Sequence, residues 1–188
     1  PLESLRTVHE LEAGDRLDVV LSWGGAHRHH RFTEDELLAE TARAWRRWIE
    51  AFHYEGPEAA LVRRAAITLK LCDRWSNGAL VAAPTSSLPA PIGGVRNWDY
   101  RYTWIRDAAF SLYALLRLGF TEEATSFMEW LTERFREERP AGAGPLQIMY
   151  AIDGRAELEE TILEHLEGDR GSRPVRIGNG AADQLQLD

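Results

Sequence analysis

Hydrophobic and polar positions divide this chain into one short alternating stretch and a succession of helical patterns. Leu17, Val19 and Leu21 alternate with Arg16, Asp18 and Ser22, the period of a half-buried strand. Gly14-Asp15 and Gly24-Gly25 supply turn residues on either side. A lone strand has nothing to pair with, so residues 1–25 are expected to be the end of a β domain whose earlier part is absent. Residues 26–32 read as a linker. Thr33 and Glu36 then form a capping box, and Leu37, Leu38, Thr41, Trp45, Trp48, Ile49 and Phe52 follow 3-and-4 spacing.

Four more helices are predicted. Pro57 opens the second, with the stripe Leu61, Val62, Ala65, Leu69 and Cys72. The third spans Thr103 to Leu118 and is stopped by Gly119 as a left-handed cap. Thr121 caps the fourth, whose stripe is Ala124, Phe127, Met128, Leu131 and Phe135, with Pro140 ending it. A weaker pattern covers Leu158 to Leu166, closed by Gly168. Between helices, Leu146–Ile152 followed by Asp153-Gly154 has the form of a strand and turn. Residues 74–102 carry no sustained helical period, and a connection of that length in a compact domain is usually functional or disordered. Its content of Trp, Tyr and Gly speaks against disorder. Residues 181–188 read as a helix starting without a C-cap, so the chain is expected to be a fragment open at both ends.

Composition narrows the class. The chain has 188 residues, 44% of them hydrophobic and 28% charged, as expected of a globular protein rather than a disordered one. Its formal charge of −8 disfavours a nucleic-acid partner, which is gripped by clustered Lys and Arg. No apolar run approaches the ~20 residues of a membrane span, and no signal peptide is visible. The cytoplasm is therefore the expected location, with the true N-terminus read as missing. Cys72 stands alone, which excludes an intrachain disulfide and a cysteine-based zinc site; it reads as a structural thiol. His27, His29 and His30 lie in the linker beside arginines that repel a cation, so no metal is expected there, and no cofactor elsewhere.

Chemistry concentrates between Asn97 and Asp107, where two Trp, two Tyr, two Arg and two Asp occupy eleven positions. Flat aromatic faces suit the C–H face of a sugar, while carboxylates and guanidinium groups hold neighbouring hydroxyls two at a time. With a helix beginning near Thr103, Trp104 and Asp107 share one face of its first turn, and Trp98 and Tyr100 lie in the approach. A carboxylate in a first turn is stabilised as the anion, ready to accept hydroxyl hydrogen bonds. The alternative is structural: Asp99, Arg101, Arg106 and Asp107 form ion pairs that cap a helix, and the aromatics fill core. Composition leaves both open.

The segments Ala82-Ala83-Pro84-Thr85-Ser86-Ser87-Leu88-Pro89 and Gly93 through Ala108 closely resemble the signature of glycoside hydrolase family 15, the glucoamylase-like group that includes glucodextranases and some trehalases. Further matches at Thr41–Trp48, Arg64–Leu71, Leu146–Tyr150 and Gly171–Asp188 extend the resemblance over nearly the whole chain. It implies a mainly α fold, the first part of an (α/α)6 barrel over residues 33–188, preceded by the last strand of an N-terminal β-sandwich.

It also implies an inverting, exo-acting glycosidase that releases glucose from malto- or isomalto-oligosaccharides or trehalose, with α-linked glucosides as partners. By position in the motif, Arg106 and Asp107 resemble the pair that hydrogen-bonds the non-reducing-end glucose. Trp104 resembles a wall of that pocket, and Tyr100 the tyrosine near the developing oxocarbenium centre. Trp98 belongs to the same substrate-binding set. Both catalytic glutamates of the family are expected beyond Asp188. Glu157, Glu159, Glu160 and Glu164 match neither and are assigned to a solvated face. The isolated chain is therefore expected to be inactive. With apolar stripes lacking the rest of their ring, it is also expected, when expressed alone, to self-associate or to fold loosely. The rival class is a non-catalytic carbohydrate-binding or helical scaffold protein, though no fixed-period repeat supports a scaffold.

Overall fold

The computed structural model describes residues 6–17, 19, 33–137 and 146–180. The strand expected at 16–22 lies mostly outside these residues, and the linker, its histidines and the helix expected at 181–188 lie wholly outside them. The chain divides into two compact units, residues 1–48 and 49–188.

In the first unit, α1 (Glu34–Ile49) begins at the expected capping box. The Thr33 amide donates to Glu36 Oε2 at 2.8 Å, and the Glu36 amide donates back to Thr33 Oγ1 at 3.3 Å. Trp45 and Trp48 meet edge to face at 5.8 Å. No residue of α1 is fully buried.

The second unit is mainly helical, with short strands between and after its helices. It contains α2 (Ala59–Leu71), β1 (Asp73–Arg74), β2 (Ala79–Leu80), β3 (Thr103–Trp104), α3 (Ile105–Arg117), α4 (Glu122–Glu137), β4 (Met149–Tyr150), β5 (Thr161–Ile162) and β6 (Arg176–Ile177). The strands pair antiparallel as β1–β2, β3–β4 and β5–β6. Ala79 and Leu80 of β2, Ala108 and Leu112 of α3, Phe127 and Trp130 of α4, and Tyr150 of β4 form the core. Trp130 stacks on Phe127 at 5.5 Å and receives Tyr150 edge-on at 5.8 Å. Gly119, at φ +100°, ends α3 as expected, its amide donating to the Leu116 carbonyl. Leu146–Ile152 supplies β4, and the turn at Asp153-Gly154 follows it.

Three expectations are corrected. The weak helix at 158–166 is extended chain, because Thr161 and Ile162 pair with Ile177 and Arg176 rather than with their own neighbours. The third helix starts two residues late, because Thr103 and Trp104 are drawn into a ladder with Tyr150 and Met149. The inward face of α4 is Glu123, Phe127, Trp130 and Arg134, while Met128 and Phe135 are exposed.

The charged members of that face are buried with partners. Lys70 Nζ lies 2.7 Å from Glu123 and 2.6 Å from Asp73, and Arg134 stands over the Trp130 ring. Cys72 is half-buried at the end of α2, and burial pushes its thiol pKa up, which suppresses thiolate. On α3, Phe110 and Tyr113 are exposed. Among the described residues no helix is long and apolar enough to cross a membrane, and no three His, Cys, Asp or Glu side chains gather as a metal group.

Candidate functional site

The long connection without helical period is a folded hairpin. The amides of Ala82, Ala83 and Ser87 donate to the carbonyls of Tyr102, Tyr100 and Trp98 at 2.9–3.0 Å, and Tyr100 returns a bond to Thr85. Pro91 to Gly94 make the turn, closed by the Gly94 amide on the Pro91 carbonyl. Residues 172–180 run against this hairpin and are tied to it by side chains. Gly93 donates to Ser172 Oγ, Asn97 Nδ2 to the Pro174 carbonyl, Ser86 Oγ to the Arg176 carbonyl, and the Arg176 amide to Ser87 Oγ.

Asp99 is the knot of the assembly. Its carboxylate, fully buried, accepts the Arg101 guanidinium through two bonds at 2.9 and 2.7 Å, the Arg101 amide at 3.1 Å and the Gly178 amide at 3.1 Å. The Asp99 hydrogen bond holds the Arg101 pKa above its ordinary value. For these two residues the ion-pair alternative is therefore the right one, although the pair closes a turn rather than capping a helix.

The five candidate residues fall into two groups. Trp98, Tyr100 and Trp104 gather around Met149 at the β3–β4 ladder. Tyr100 and Trp104 have ring centroids 5.8 Å apart, tilted by 45°. Trp104 does not sit on the first turn of a helix; it is the residue before α3, with extended φ/ψ of −79° and 121°. Its indole N–H donates to the Asp99 carbonyl, and only 8% of the residue is exposed.

Arg106 and Asp107 occupy the first turn of α3, the positive end of its dipole. Their tips are 3.8 Å apart, with side chains 41% and 33% exposed. Asp107 Oδ2 is buried and has no hydrogen-bond partner among the described residues, a rare state for a carboxylate oxygen. Arg106 also lines a cavity of about 400 Å³ with Phe110, Leu146, Gln147 and Ile148. Trp98, Tyr100, Trp104 and Asp107 are not part of that lining.

Sequence reasoning missed three residues. Gln147 at the cavity spends both amide hydrogens on the carbonyls of Met149 and Ala156, at 2.7 and 2.8 Å, which fixes the turn behind β4. A single polar residue inside the apolar run Leu146–Met149 was its only signal. Arg176 stands over the Trp98 ring at 5.1 Å and pairs with Glu160. Glu160 is thus partly buried in an ion pair rather than on a solvated face, whereas Glu157, Glu159 and Glu164 are exposed.

Comparison with known proteins places these features. Residues 56–188 match the family model described as Glycosyl hydrolases family 15. The chain is similar to a trehalase of Thermoplasma volcanium, 42% identical over 90% of this chain and 27% of that protein. It is equally similar to one of Mycolicibacterium smegmatis, 42% identical over 95% and 27%. A trehalase of Thermoplasma acidophilum is 43% identical over 90% and 29%. The chain thus spans under a third of the length of these relatives. No solved structure matches it significantly. The family match includes the whole hairpin, α3 and the strand that locks them, and on that evidence the chain belongs to glycosyl hydrolases family 15, in its glucoamylase-like and trehalase group.

Proposed function

We propose that the polypeptide carrying these residues is an inverting glycosidase that cleaves trehalose, and that this chain supplies the part of its site that grips glucose. The observation that carries the local reading is Asp107. It is a carboxylate at a helix N-terminus with one buried oxygen unbonded and an arginine tip 3.8 Å away. A sugar presents adjacent hydroxyls that donate to such a carboxylate and accept from such a guanidinium. The names of the relatives favour trehalose over malto- and isomalto-oligosaccharides.

In this reading Arg106 and Asp107 hold hydroxyls of the glucose whose anomeric bond breaks. Tyr100 lies near the charge that develops on that ring, and Trp98 and Trp104 wall the site. These residues belong to the first part of an (α/α)6 barrel over 33–188, with 1–25 ending a β-sandwich and 26–32 linking the two. One glutamic acid protonates the glycosidic oxygen and a second carboxylate activates water on the opposite face, ~6.5–9.5 Å away to leave room for that water. Both come from residues of the protein outside these 188. Hydroxyl bonds tighten as the ring flattens, so Asp107 contributes to rate as well as to affinity.

The test is hydrolysis of trehalose by the full-length protein, followed by NMR before mutarotation. Inversion yields one α- and one β-glucose per trehalose; two α-glucose molecules would overturn the inverting mechanism. Asp107→Asn is expected to lower kcat/KM by several kcal/mol, on the order of 10²- to 10³-fold. An unchanged kcat/KM would return Asp107 to a structural role. Sugar binding without cleavage by the unaltered protein would favour a carbohydrate-binding protein instead.

A further inference from the structure

One face of the Trp98 indole is already taken. The Arg176 guanidinium stands over the ring, 5.1 Å from its centroid. That guanidinium is held by an ion pair: Nη1 donates to both Glu160 oxygens, at 3.0 and 3.1 Å, and the two side chains are only 13% and 24% exposed. Glu160 is anchored in turn by the Gly180 amide at 3.2 Å. The main chain of Arg176 is fixed as firmly. Its amide donates to Ser87 Oγ at 2.8 Å, and its carbonyl accepts from Ser86 Oγ at 2.7 Å and Ser87 Oγ at 3.1 Å. Ser87 makes these bonds from φ +60°, a left-handed conformation that costs a non-glycine residue and persists only where surroundings enforce it.

We propose that Glu160 and Arg176 are positioning residues for Trp98, and that they determine which face of the indole meets the sugar. The inference rests on reading Trp98 as part of the glucose-binding wall. A guanidinium stacked on one face excludes a sugar from it and leaves only the opposite face for stacking. Planarity matters as much as charge: the flat guanidinium covers the ring while Nη1 donates to Glu160, whereas an ammonium group could keep the ion pair but could not cover the ring. Glu160 therefore holds Arg176, and Arg176 in turn sets the inclination of the indole.

The experiment is a double-mutant cycle on trehalose hydrolysis by the full-length protein, with KM and kcat resolved and the melting midpoint recorded. Trp98→Ala is expected to lower kcat/KM about tenfold, as loss of an aromatic platform does. Arg176→Lys alone is expected to lower it about fivefold, chiefly through KM. In the Trp98→Ala background the same change should alter it less than about twofold, because the residue through which it acts is gone. Losses that multiply in the double variant overturn the proposal. A loss for Trp98→Ala with none for Arg176→Lys overturns the positioning role alone. Wild-type kcat/KM for Trp98→Ala overturns the sugar-wall reading and the proposal with it. A lowered melting midpoint with KM unmoved identifies Arg176 as merely structural. Should Arg176→Lys fail to fold, Glu160→Gln carries the same cycle, with a smaller expected change that also vanishes without Trp98.

Discussion

The chain builds the same turn twice and uses it differently. In Asp99-Tyr100-Arg101 and Asp153-Gly154-Arg155, the arginine amide donates to Oδ1 of the preceding aspartate, at 3.1 and 3.2 Å. The guanidinium then closes on the same carboxylate, with shortest bonds of 2.7 and 3.0 Å. The first carboxylate is wholly buried and takes a further bond from Gly178, far along the chain. The second is open to solvent, with side chains 48% and 69% exposed. Local sequence specifies both turns. Burial and a distant partner make only the first into a structural knot, since water and salt screen the second.

The largest expected effect comes from breaking the distant partner. Gly178 has φ +77°, and a Cβ there would run into the Glu159 carbonyl oxygen, which belongs to rigid backbone. Gly178→Ala must therefore both strain the backbone and push residues 176–180 off the hairpin, removing the fourth bond to Asp99. A loss of about 3–4 kcal/mol is expected in a urea titration. A loss under about 1 kcal/mol would mean that this strand is not what holds Asp99 in place.

Next comes the carboxylate itself. Asp99→Ala leaves the Gly178 amide buried without an acceptor and frees Arg101. Because the Arg101 side chain is 47% exposed, water recovers part of that loss. About 2–3 kcal/mol is expected, less than for a fully buried pair. The matching change at the second turn, Asp153→Ala, should lower the urea midpoint only slightly, because water screens that exposed pair. Equal losses at the two turns would erase the distinction drawn between them.

The same contrast explains what could be read from the sequence. Helices α1, α3 and α4 were legible from periodicity, the Thr33–Glu36 box and Gly119. The face of α4 was misjudged because Glu123 and Arg134 point inward, and hydrophobic spacing cannot anticipate charged residues buried with partners such as Lys70 and the Trp130 ring. Leu158–Leu166 carries a plausible helical pattern, yet ladder partners at Arg176 and Ile177 decide its conformation. At the candidate site, the density of aromatic and charged residues from Asn97 to Asp107 singled out one segment. Dividing it required tertiary contacts: Asp99 and Arg101 are tied into the hairpin, while Arg106 and Asp107 stand in the first turn of α3 with partly exposed side chains. Nothing in spacing connects Trp98 to Arg176 or Glu160.

The smallest effect is also the most direct probe of the exposed turn. The Arg155 guanidinium, bonded to both oxygens, holds the Asp153 carboxyl below its ordinary value. A carboxylate whose pKa is depressed by folding stabilises the native state above its unfolded value, and that contribution fades as pH falls through the lower, native value. The relevant window therefore lies below the ordinary aspartate range of about 3.9. Carbon-detected NMR should find the Asp153 midpoint below that range, and Arg155→Ala should raise it back. The shift should also shrink with added salt, because the pair is exposed. A midpoint that stays low in Arg155→Ala would assign the depression to the turn's backbone rather than to the guanidinium.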